Sequence, residues 1–161
     1  MADIEVDFSQ FDKFVDGIVE AALPEAVKTV QANAVNKLAA EYLGKAIEET
    51  PDRGVQKIQI GEKEITTDSE HMKRSWGAES ARFIGGQYRA KVYNSASYAS
   101  YVNDGHRQHV GQFVPILGKR LVKPWVDGQF MAEKAEKHTR KIAASVLQNE
   151  ILRHLKGVFR G

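Results

Sequence analysis

The 161-residue sequence contains no cysteine. That excludes disulfide staples, thiolate zinc sites and a cysteine nucleophile, and it fits assembly in a reducing cytoplasm. It has no run of 18 or more apolar residues, the length a membrane-spanning helix needs, so no membrane partner is expected. The start, Met1-Ala2-Asp3-Ile4-Glu5-Val6-Asp7, is acidic and unlike a secretory signal. Phosphate-binding loops are missing: Gly118-Lys119 is followed by Arg120, and no glycine stands five positions before Gly118. There is no dinucleotide fingerprint and no Gly-x-Ser-x-Gly elbow. What is present suits an ordered fold. Hydrophobic residues make up 42% of the chain and charged ones 27%, enough to bury a core in one domain spanning 1–161.

The formal net charge of +2 conceals an asymmetry. Residues 1–118 carry 13 basic and 17 acidic side chains, whereas 119–161 carry 10 basic and 4 acidic. The basic end suits nucleic acid, a solvated helix face, or an acidic surface such as the front half of another copy.

Periodicity organises the chain. Phe8, Phe11, Phe14, Val15, Ile18, Val19 and Ala22 recur at helical steps, predicting an amphipathic segment over 8–22 with Ser9 as N-cap. A second helix is expected over 24–49, with Val27, Val30, Ala34, Leu38, Tyr42 and Ala46 on one stripe. Thr50-Pro51 ends it. A β-rich middle follows over 55–117. Ile58, Ile60 and Ile65 around Gly61-Glu62 predict one hairpin, and Thr67-Asp68 is expected to cap a short helix reaching Arg74. Residues 76–84 and 87–93 predict a second hairpin about Gly85-Gly86, with Tyr88, Ala90 and Val92 on its buried face. A short helix or turn over 96–104 precedes a loop over 105–112. Phe113 to Leu117 reads as an edge strand because of Pro115. A long helix is predicted over 127–156, with Met131, Ala135, Ile142, Val146, Ile151 and Leu155 facing inward and antiparallel to 24–49. The fold class is therefore α+β: a long N-terminal and a long C-terminal helix packed on a small central antiparallel sheet.

Candidate chemistry is sparse. Asp104, His106 and His109 offer a carboxylate and two imidazoles, in principle a metal site or an oriented base, but a three-residue spacing on a loop does not give the histidines a shared direction. No metal, cofactor or catalytic residue is assigned. Trp76 and Trp125 could stack on bases; closing a core edge is the commoner role. Tyr98 and Tyr101 share a helix face, with packing against the sheet the favoured reading. Lys119, Arg120 and Lys123 could meet phosphates, so a nucleic-acid-binding module is the alternative function.

Tyr98-Ala99-Ser100-Tyr101-Val102-Asn103-Asp104-Gly105-His106-Arg107 resembles the tail-completion, or head–tail joining, proteins of long-tailed phages and related prophage particles. Those proteins have an alanine-tyrosine-valine run leading to Gly-His-Arg or Gly-Thr-Arg. Trp125-Val126-Asp127-Gly128-Gln129-Phe130-Met131 is similar to their lead into the final helix, and Met72-Lys73-Arg74-Ser75-Trp76 to their basic step before a strand. The likeness covers roughly residues 5–155. The chain departs from the pattern at 55–66, an insertion, and at 108–123, a longer and more basic loop.

The resemblance implies a structural, non-enzymatic virion protein at the neck. It would assemble as a ring of its own copies, by symmetry a hexamer, between the connector or stopper and the tail terminator or tube. Non-specific contact with DNA in the lumen is compatible with it, and assembly would take place in the host cytoplasm. It marks Tyr98, Tyr101, Gly105, His106, Arg107, Trp125, Gly128, Phe130 and Met131 as an interface or structural motif. Gly105 is expected at positive φ, with Arg107 donating to a carboxylate or to backbone carbonyls.

Overall fold

A computed structural model describes residues 24–52, 55–60, 63–68, 70–115 and 118–158. The expected segment over 8–22 lies outside them. Helix α1 spans Pro24–Glu49, strands β1 Val55–Ile60 and β2 Lys63–Asp68 follow, then helix α2 His71–Arg74. Strands β3 Trp76–Ile84 and β4 Gln87–Asn94 lead to helix α3 Ala99–Asp104. Four short strands come next, β5 Gly105–Arg107, β6 Phe113–Val114, β7 Lys119–Arg120 and β8 Trp125–Asp127, and helix α4 Met131–Val158 ends the chain. The layout is the expected α+β one, with antiparallel pairs throughout.

Helices α1 and α4 lie antiparallel. Lys134 reaches Glu49 at 3.1 Å, His138 faces Glu41 at 3.7 Å, and Lys37 pairs with Glu150, so partner numbers run in opposite directions. Val35, Leu38, Ala39, Tyr42 and Ala46 of α1 make a core with Ala135 of α4 and with Ala90 and Val92 of β4. The alternation read along β4 holds at its centre: Ala90 and Val92 are buried and Arg89 is exposed, while Tyr88, Lys91 and Tyr93 are all half-buried. Gly85 and Gly86 have φ of +61° and +86°, the backbone a two-residue hairpin turn requires when Ile84 pairs with Gln87. The β3–β4 register shifts between Glu79 and Arg82, and there the Ala81 N–H donates to Asn36 Oδ1 of α1 at 2.7 Å. The irregularity thus ties the hairpin to the helix.

Three expectations need correction. Thr67 and Asp68 cap no helix: both belong to β2, and α2 starts after Glu70 without a side-chain cap. The pairing of Val55 with Asp68 extends the ladder through both residues. The C-terminal helix begins at Met131 rather than 127, because 125–127 is strand and Phe130 has φ +53°. Its inner face also differs. Thr139 and Glu150 are buried, while Leu155 is 45% exposed. Each buried polar group has a partner, since the Thr139 hydroxyl donates to Ala135 O and Glu150 pairs with Lys37 and Arg153.

Candidate functional site

The two segments singled out by resemblance, 98–107 and 125–131, meet. β5 pairs with β8 in the register Gly105↔Asp127, His106↔Val126 and Arg107↔Trp125. What was expected as a loop over 105–112 therefore starts as a strand. Gly105 has φ +82°, and a Cβ there would lie 2.5 Å from Val126 O and 2.8 Å from Gly128 N. A Cβ on Gly128 would run into Asn103 O and lie 2.9 Å from Gly105 N. The two glycines let two backbones come closer than any side chain allows.

Asn103 organises the junction. Its backbone carbonyl accepts from Phe130 N–H at 3.0 Å, and the Val102 carbonyl accepts from Gln129 N–H at 2.9 Å. Its Oδ1 accepts from Ala132 N–H at 3.0 Å, and its Nδ2 donates to the Glu133 carboxylate at 3.1 and 3.2 Å and to Asp104 Oδ1 at 2.6 Å. Phe130 occupies the N-cap position of α4, because its carbonyl accepts from Lys134 N–H, yet it has no side-chain acceptor to offer. Asn103, from a remote helix, satisfies the orphan N–H instead. A long helix opening on Phe-Met, without Ser, Thr, Asp or Asn at its cap, needs an acceptor from elsewhere.

Around this knot the aromatic rings face outward. Exposure is 39% for Tyr98, 59% for Tyr101, 45% for Trp125 and 50% for Phe130. Tyr101 meets His106 edge-on at 5.7 Å between ring centroids, and the Tyr98 hydroxyl lies 3.2 Å from His71 Nδ1. Packing of the two tyrosines against the sheet is thus corrected, as is Trp125 closing a core edge. Trp76 does close one: half-buried, it touches both apolar clusters and donates Nε1–H to the buried Thr50 hydroxyl at 2.8 Å. Met131 is buried with Met72 and Ala96, anchoring the knot from beneath. The expected donation by Arg107 is also corrected: its side chain is exposed and, among the described residues, meets no carboxylate or carbonyl.

The chemistry of the helix pair is structural. Burial would raise the Glu150 carboxyl, but hydrogen bonds and charge from Lys37 and Arg153 hold it below the ordinary range. Hydrogen bonds from Lys45 and Lys134 likewise lower Glu49. Burial, with the charges of Glu136 and Glu133, pushes the Tyr42 phenol up to about 12. His106 and His109 belong to no group of three or more His, Asp or Glu among the described residues that could hold a metal ion.

Residues 10–105 match the HK97-gp10-like family model, described as "Bacteriophage HK97-gp10, putative tail-component". The chain belongs to this family. It is a phage tail component, a constituent of the virion. The match takes in α1, both hairpins, α2 and α3, and ends at the glycine that β8 and Gly128 close upon. The segment Trp125–Met131 lies beyond it, so in the HK97-gp10-like protein that half of the motif is tied to the family region by the backbone contacts described above. No curated protein and no solved structure matches the chain. Among the described residues no helix is long and apolar enough to cross a membrane.

Proposed function

We propose that this HK97-gp10-like protein is a structural subunit of the head–tail junction, completing the tail and joining it to the capsid connector as a ring of identical copies. The observation that carries the reading is the aromatic surface of Tyr98, Tyr101, Trp125 and Phe130 on a backbone fixed by Gly105, Gly128 and Asn103. Large apolar side chains held outward on a rigid base suit an assembly contact. Family membership supplies the context of a tail, and the surplus of acid in residues 1–23 and of base after residue 118 gives two unlike stretches for a head-to-tail contact.

In this reading residues 1–161 act as one domain, six copies close the ring, and connector or stopper lies on one side with terminator or tube on the other. Residues Tyr98, Tyr101, His106, Arg107, Trp125 and Phe130 meet neighbours, while Gly105, Gly128 and Met131 hold the platform. The role is architectural rather than catalytic, and assembly takes place in the host cytoplasm. Tyr101→Ala with Trp125→Ala tests the surface. Particles carrying both changes are expected to accumulate unjoined heads and tails in electron micrographs, while the purified subunit melts as the wild type does. Normal yields of joined particles would count against the surface.

A further inference from the structure

The short ladders of the C-terminal half are one ribbon. Beyond the β5–β8 pairs, Gln108 N–H donates to Pro124 O at 2.9 Å and Gly111 N–H to Leu121 O at 2.8 Å, while Leu121 N–H donates to Gln112 O at 2.9 Å. Phe113 then pairs with Arg120 and Val114 with Lys119. Gly111, at φ +86°, and Gln112 both face Leu121, a one-residue bulge of the kind that needs glycine first. The Arg120 guanidinium donates to Gly111 O at 2.6 Å and holds the bulge.

This arm has two surfaces without a cover. Among the described elements no helix or further strand packs substantially on β6 or β7. Val110 is 61% exposed, Phe113 51% and Val122 81%. From Gly105 to Val126 there is no Asp or Glu, and there are four Lys or Arg. A lone two-stranded ribbon is marginal in water, and phosphate would cover its cations but not its apolar side chains. An acidic, apolar protein segment covers both.

The chain holds one such segment: residues 1–23 carry six acidic side chains and one Lys, with Phe8, Phe11, Phe14 and Ile18 among them. It joins α1 at Pro24. Because α1 and α4 are antiparallel, with Glu49 beside Lys134 and Lys37 beside Glu150, Pro24 is at the opposite end of the helix pair from Met131, where the arm is rooted. The 26-residue helix α1 sets these ends roughly 39 Å apart. In a head-to-tail stack the segment of one copy leaves its subunit where the neighbour's arm begins.

We propose that the 105–127 arm of one copy receives the acidic, phenylalanine-rich segment 1–23 of the next. The proposal rests on the ring reading above and names the contact that closes the ring. Full-length chains in natural and nitrogen-15-labelled form, mixed and treated with a carbodiimide, are expected to link Lys119 or Lys123 to Asp or Glu residues of 1–23 in mixed-isotope pairs. K119E/K123E is expected to weaken self-association roughly tenfold or more, through like charges brought together, with thermal unfolding unchanged. Adding D12K/D16K should restore association. Links confined to one isotope, oligomers that survive K119E/K123E, or salt-sensitive duplex DNA binding that protects the arm in place of those links would each overturn the proposal. Oligomers that survive leave the ring reading standing, whereas a wild-type chain that never associates removes both.

Discussion

Gly128 sits where a methyl group has no room: it would run into Asn103 O, Asp104 C and Gly105 N, all backbone atoms rather than a side chain that can swing away. Gly128→Ala is therefore expected to lower stability by about 2 kcal/mol or more, the cost of forcing packed backbones apart, as measured by denaturant unfolding. Its effect should reach past the site: the knot also seats the first turn of α4 through Asn103, so helix content near Ala132 should fall in hydrogen exchange. Tyr42 provides a second reading at this scale. Its phenol is 2% exposed and is raised from 10.0 to about 12. A raised acid keeps its proton in the folded state after the unfolded chain has lost it. Its contribution is complete below pH 10 and disappears as pH climbs towards 12. An ultraviolet titration should show this tyrosine ionising last.

The helix pair and the hairpins differ in how much of them sequence alone reveals. The stripe through Val27, Val30, Ala34, Leu38, Tyr42 and Ala46 predicts α1 to the residue: all but the half-buried Val27 are buried, and Pro24 and Pro51 bracket the segment. Gly85-Gly86 likewise placed the second hairpin. The start of α4 was not legible, because its cap comes from Asn103, 29 positions before Ala132. The 105–127 ribbon shows in the sequence only as loop and fragments, since its strands are two or three residues long and its register shifts at Gly111. The outward aromatics escape the sequence pattern for a related reason: Tyr98 and Tyr101 show helical spacing, but α3 has only six residues and buries none. Leu38 is fully buried between α1, α4 and β4. Leu38→Ala should cost about 2–5 kcal/mol in denaturant unfolding, and a loss under about 1 kcal/mol would mean the helices do not close on the sheet as described. Acid should act on the same pair. Because Glu150 is lowered from 4.5, its contribution is present above that value and fades as pH falls through the folded value, loosening α4 from Lys37 first.

At the scale of the molecule, an HK97-gp10-like tail component turns one glycine-built knot and one basic arm outward. Its fold-stabilising groups are turned inward: the buried carboxylate, the capped helix and the Trp76–Thr50 bond all serve the subunit. The groups left over, the outward aromatics and the basic arm, are the ones the ring proposal assigns to neighbours. The central claim, that this protein joins heads to tails, is tested most directly by electron microscopy of lysates from phage lacking it. Full heads and finished tails of normal length lying apart are the predicted result; joined particles, or tails of uncontrolled length, would contradict it.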